Sequence, residues 1–237
     1  MWGLKDKVKM ASSYRDSNFY DAEKIGVIGR GPSVYRLDLC SREFSHCYLA
    51  GEFNNTLYKI ERYLKGKDIV SCIMQLNRYR TSEENCKKFN IKNLQVRYQI
   101  ATLYHKRCIE EFPYLKVVGF DKRHYEIVSM INNLNHERCR SIFSTGMAAV
   151  VSALYFNPKD IYIIGLDFYN RCNKPYFVKE AMDTPNSERI ESSIKGLREG
   201  MVESINNICN LFPEINLHIY TTYDGIRSKG NLRVVYV

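Results

Sequence analysis

No window of the chain approaches the roughly 18 consecutive apolar residues that a membrane-spanning helix needs, so no transmembrane segment is expected. The N-terminal stretch MWGLKDKVKMASSYRDSNF has no apolar core of signal-peptide length. None of the eight cysteines (Cys40, Cys47, Cys72, Cys86, Cys108, Cys139, Cys172, Cys209) forms a C-x-x-C pair, and the five histidines show no ligand spacing. A zinc site needs closer spacing, so none is expected. Cys72, Cys108 and Cys209 sit in apolar segments, where a thiol acts as a small core hydrophobe. The expectation is a reduced, cytoplasmic protein. Positive charge is plentiful but never concentrated. The 35 basic and 26 acidic residues give a net charge of +9 without any run of five Lys or Arg. A basic surface favours phosphorylated small molecules, anionic membranes or other polyanions. Because the charge is scattered, a solvated basic surface is the plainer reading, and nucleic acid is not expected. Peripheral contact with an anionic membrane and oligomer formation stay open.

What is present is the material of one α/β domain. The 237 residues are 45% apolar and 26% charged, enough for a core without disulfide or metal. Residues 1–22 read as a polar N-terminal arm and residues 23–237 as the domain. Apolar runs at Lys24–Ile28, Cys47–Ala50, Asp68–Leu76, Leu115–Phe120, Ile161–Gly165 and Ile215–Tyr220 read as strands, with Leu232–Val237 a further candidate. Helical patterns intervene at Val34–Leu39, Ile60–Leu64, Thr81–Glu111, His124–Leu134, Met147–Phe156 and Glu188–Leu211. In the last, Ile190, Ile194, Leu197, Met201, Ile205 and Ile208 fall at steps of three and four. This alternation predicts a mainly parallel sheet with helices on both faces. Residues 170–190 are irregular and read as a lid.

Three constellations carry chemistry. Gly29-Arg30-Gly31-Pro32-Ser33 follows a strand, where glycine permits a tight turn or close approach to a ligand. The third glycine of the dinucleotide fingerprint is missing, and no acid caps the next strand, so NAD is disfavoured. Asn54 and Asn77 lie near strand ends, where an amide can both donate to and accept from a base edge or sugar hydroxyl; a plain turn is the competing reading. Ser144-Thr145-Gly146 opens a helix, whose first N–H groups suit an anion. Downstream, Asp167-Phe168-Tyr169 ends a strand, and Tyr176 follows seven residues later. Phenolic hydroxyls can stabilise a departing phosphate. The competing reading makes Phe168 and Tyr169 core aromatics and Asp167 a cap.

Taken in order, these motifs resemble the bacterial sialyltransferases of glycosyltransferase family 42. The resemblance rests on Val27-Ile28-Gly29-Arg30-Gly31-Pro32-Ser33, Ser144-Thr145-Gly146 with the alanine-rich segment Ala148–Leu154, and Gly165-Leu166-Asp167-Phe168-Tyr169. It implies a single Rossmann-like domain of the GT-A variant type. It further implies a CMP-activated sugar acid as donor, a glycan or glycolipid acceptor and inverting displacement. No metal or other cofactor is implied, in keeping with the lack of a D-x-D motif. On this resemblance Gly29, Gly31, Pro32, Ser33, Asn54, Asn77, Ser144, Thr145, Gly146 and Asp167 line the nucleotide-sugar site, and Tyr169 and Tyr176 bind the leaving phosphate. The family places a histidine in the lid as general base, but no histidine occurs between Asn170 and Leu217. Glu188 and Glu191 are the nearest titratable substitutes; acids in a helix's first turn are also favoured by its dipole alone. A relative that binds nucleotide or glycan without turnover is the alternative.

Overall fold

A strand covered by helices on both sides must be apolar on both faces, and Lys24–Ile28 (β1), His46–Ala50 (β2) and Asp160–Ile164 (β6) meet that condition almost throughout. They occupy the middle of an eight-stranded sheet in a computed structural model that describes residues 18–51, 53, 57–73, 96–100, 117–136, 144–169 and 187–237. The remaining strands are Asp68–Ile73 (β3), Val96–Ile100 (β4), Val117–Gly119 (β5), Asn216–Thr221 (β7) and Leu232–Tyr236 (β8). The order is β5-β4-β3-β2-β1-β6-β7-β8, with every neighbouring pair parallel. Burial fades outward: β7 alternates, and β8 keeps only Leu232 fully buried.

Side chains alternate between two cores, as the two-residue period of a strand requires. Ile25, Val27, Tyr48, Ala50, Ile161 and Ile163 pack on one face, under Lys122–Leu134 (α2), Thr145–Leu154 (α3) and Ser187–Leu211 (α4). Ile28, Cys47, Leu49, Tyr162 and Ile164 pack on the other, under Leu57–Leu64 (α1) and a 3₁₀ segment, Pro32–Leu39. The expected α/β architecture with helices on both faces is therefore present. Cys40, Cys47 and Cys72 are free thiols inside these cores, and burial pushes each up to about 12, as suits inert packing groups.

Three expectations need correction. The helix-like pattern over Thr81–Glu111 contains strand β4 at Val96–Ile100. That run's Val, Tyr and Ile match a strand as well as a helix face, and pairing with β3 and β5 decided between them. The N-terminal arm does not extend to residue 22: Phe19 is fully buried and its ring meets Tyr48 and Phe156, so the domain begins by residue 19. Residues 187–190, read as the end of a lid, open α4; the rest of that segment, 170–186, lies outside the described residues.

The outward edge of β8 is not left bare. Leu232 exchanges backbone bonds with Lys229 (2.9 and 3.0 Å), and Val234 N donates to Ser228 Oγ at 2.8 Å. This strap occupies groups that another strand would need.

Candidate functional site

The chain leaves β1 in one direction to build β2–β5 and returns to the other side to build β6–β8. The strand order reverses between β1 and β6, and in open α/β sheets the crevice beyond the carboxyl ends of such strands is where ligands bind. A cleft of about 520 Å³, counting the space open to solvent, lies there. Its wall is built from the loop after β1, the loop after β6, the end of β2 and the start of α3.

The first two loops touch backbone to backbone. Gly29 N donates to Ile164 O and Gly31 N to Gly165 O, each at 2.7 Å. A Cβ on Gly29 would fall 2.3 Å from Gly165 O, and one on Gly165, which also has φ +77°, 2.3 Å from Gly29 O. Only glycine permits this approach. The loops are joined a second time through Asp167, which is 4% exposed. Its Oδ2 accepts from Ser33 N and Ser33 Oγ, both at 2.9 Å. Its Oδ1 accepts from Thr221 Oγ1 (3.1 Å), Thr222 N (2.7 Å) and Thr222 Oγ1 (3.2 Å). Ser33 Oγ in turn accepts from Gly165 N at 2.7 Å. One carboxylate thereby ties together the ends of β1, β6 and β7.

The N-terminus of α3 packs against the second of these loops, where a Cβ on Gly146 would fall 2.5 Å from Leu166 Cδ2. Ser144 caps it, its Oγ accepting from Met147 N at 3.2 Å, while Ala148 N donates to Ser144 O. Helix geometry leaves the N–H groups of Thr145 and Gly146 without an intrahelical acceptor, so this end of the cleft suits an anion. Beyond Asp167 the chain takes two successive left-handed residues, Phe168 (φ 51°) and Tyr169 (φ 52°), a conformation unfavourable for bulky side chains. Arg198 of α4 holds the turn: its Nε donates to Phe168 O at 2.9 Å and its Nη2 to Tyr169 O at 2.7 Å. The same guanidinium lies 5.6 Å from the centroid of the Tyr223 ring.

Of the residues singled out from sequence, Gly29, Gly31, Ser144, Thr145, Gly146, Asp167 and Tyr169 line this cleft together. Ser33 stands behind it as a partner of Asp167, and Pro32 starts the 3₁₀ segment. Asn54, Asn77 and Tyr176 lie outside the described residues. Glu188 and Glu191 are helical positions in the opening turns of α4, and their side chains lie outside the described residues. Sequence reasoning passed over Arg30, Gly51, Arg198, Thr221 and Thr222. The two successive threonines where β7 ends were the available signal. Arg198 gave none, being one of several charges in an amphipathic helix. Among the described residues no group of three or more His, Cys, Asp or Glu is placed to hold a metal ion.

No protein-family model and no curated protein sequence matches the chain. Solved structures do. The monofunctional α-2,3-sialyltransferase Cst-I from Campylobacter jejuni aligns over 86% of this chain and 77% of its own, with TM-score 0.52 and 16% identity. A variant of the sialyltransferase CST-II in complex with CMP aligns over 88% and 87%, with TM-score 0.53 and 14% identity. CstII from Campylobacter jejuni in complex with the substrate analogue CMP-3FNeuAc aligns over 83% and 80%, with TM-score 0.54 and 15% identity. The chain has a sialyltransferase-like fold. At these identities the likeness speaks for the fold; the chemistry must be argued from the cleft.

Proposed function

We propose that the chain is a glycosyltransferase that moves a sugar acid from a CMP-activated donor to a glycan hydroxyl. The observation that carries this reading is convergence. The glycine loop after β1, the capped N-terminus of α3 and the Tyr169 turn meet at one switch-point cleft, in a fold shared with sialyltransferases, two of them in complexes with CMP or a CMP-sugar analogue. The donor's nucleotide lies in that cleft. An acceptor hydroxyl attacks the anomeric carbon from the face opposite the phosphate. The bond from that carbon to the phosphate oxygen breaks, and configuration inverts. Tyr169 and Tyr176 donate hydrogen bonds to the departing CMP, acting where negative charge develops. Glu188 or Glu191 takes the proton of the attacking hydroxyl, provided the acceptor comes within hydrogen-bond reach. No metal takes part, so chelation is expected to leave turnover unchanged. The acceptor is a glycan or glycolipid, the latter consistent with a basic protein resting on an anionic membrane.

Calorimetric titration with CMP, UMP and AMP tests the donor; no preference for the cytidine nucleotide would sink it. Transfer to a lactose-type acceptor tests turnover, and a Tyr169→Phe/Tyr176→Phe double variant that retains the full rate removes the tyrosines from the mechanism. One observation favours a second reading, a sialyltransferase-like nucleotide- or glycan-binding protein without turnover: no histidine occurs between Asn170 and Leu217. CMP binding without donor hydrolysis or transfer would establish it.

A further inference from the structure

We infer that Arg30 is the cation that recognises the donor's oxyanion in this cleft and sets its preference for charged over neutral ligands. The inference rests on the reading of the cleft as a nucleotide-sugar site. Arg30 stands between two glycines whose N–H groups are both pinned to the end of β6, so its main chain cannot drift. Its side chain crosses to the end of β2. A Cβ built on Gly51 would lie 3.4 Å from Arg30 Nε, 3.7 Å from Cζ and 3.8 Å from Nη2. The guanidinium therefore lies beside Gly51, a residue held by Gly51 N donating to Cys72 O at 2.8 Å. Gly51 itself has φ +93°, which an L side chain rarely adopts. Arg30, Ala50 and Gly51 line the same cleft as Ser144, Thr145 and Gly146. Among the described lining residues Arg30 is the single cation. A planar guanidinium matches the geometry of a phosphate or carboxylate with paired donors, which a lysine does not reproduce.

The test is calorimetry with wild type, Arg30→Ala, Arg30→Gln and Arg30→Lys against CMP, cytidine, free N-acetylneuraminic acid and inorganic pyrophosphate. Arg30→Gln is close in length and separates lost charge from any folding defect of Arg30→Ala. Loss of Arg30's charge is expected to weaken CMP by about 10- to 100-fold and cytidine by less than about twofold, with Arg30→Lys intermediate. That pattern assigns the nucleotide phosphate as the partner. Weakening confined to N-acetylneuraminic acid assigns the carboxylate of the sugar acid instead. Equal losses for CMP and cytidine, or no loss for any anion, overturn the inference while leaving wild-type CMP binding, and the donor assignment, in place. If wild type shows no preference for cytidine compounds, the donor assignment falls. Pyrophosphate then decides: binding that needs Arg30 keeps the inference, and binding indifferent to it, or absent, overturns it.

Discussion

Two acidic residues, Asp167 and Asp121, hold the molecule together by different means. Asp167 joins residues far apart in sequence, Ser33 and Thr221–Thr222, through hydroxyl and backbone donors that keep their protons across the working pH range. Asp121 is local. It caps α2, its Oδ1 accepting from His124 N at 3.2 Å and lying 2.9 Å from His124 Nδ1, while Oδ2 accepts from Tyr155 OH at 2.9 Å. His124 is fully buried, stacked between the rings of Phe120 (4.5 Å) and Tyr155 (4.4 Å). Burial holds its imidazole below the ordinary 6.5, against the opposing pull of Asp121. Burial pushes the Asp121 carboxyl upward, but the bonds from His124 and Tyr155 outweigh it and leave the group below its ordinary value. The tie at the cleft is made of hydroxyl and backbone donors, none of which titrates near neutrality. A tie that buries an imidazole ties stability to pH.

The contrast can be broken most severely at Asp167. Asp167→Ala is expected to cost roughly 3–5 kcal/mol in urea unfolding, because several buried donors lose one acceptor together, each worth about 1–3 kcal/mol. A loss below about 1 kcal/mol would show that the strand ends hold without it. Gly165→Ala attacks the same junction through the backbone and is expected to cost roughly 2–3 kcal/mol from crowding and positive φ combined. Arg198→Ala removes two donors from the left-handed turn at an expected cost of about 1–2 kcal/mol. If Arg198 acts through Tyr169, adding Arg198→Ala to Tyr169→Phe lowers transfer little beyond the single changes, whereas fully additive losses would separate the two residues. Tyr155→Phe sharpens the Asp121 side, with an expected cost of about 0.5–1.5 kcal/mol.

The pH effect is the smallest. A native His124 held below 6.5 refuses a proton that the unfolded chain accepts, so its contribution is complete above that value and falls as the solution is acidified. The thermal midpoint is expected to drop between pH 7 and pH 5, and less so in His124→Gln. An identical drop in both proteins would place the sensitivity elsewhere. The lowered Asp121 adds a contribution that persists until pH falls below about 3.8.

Much of the cleft was legible because its parts are local. Ser144 as helix cap, the glycines flanking Arg30 and the strand ending at Gly165 each announce themselves within a few residues, through turn chemistry and hydrophobic period. β4 was not legible, since a five-residue run of mixed Val, Tyr and Ile fits either period until neighbours pair with it. Phe19 was missed because aromatics scattered through a polar stretch say nothing of where the stretch docks.

By itself the sequence determined the alternation of strands and helices, the glycine loop and the helix that opens at Ser144, because these depend on short-range period, capping and backbone freedom. Tertiary structure alone decided that the loops after β1 and β6 meet, and that Asp167 reaches Thr221 across 54 residues. It also brought Arg30 over Gly51 and Arg198 under the Tyr169 turn. Those contacts depend on strand order, and strand order is settled by packing among all the elements at once.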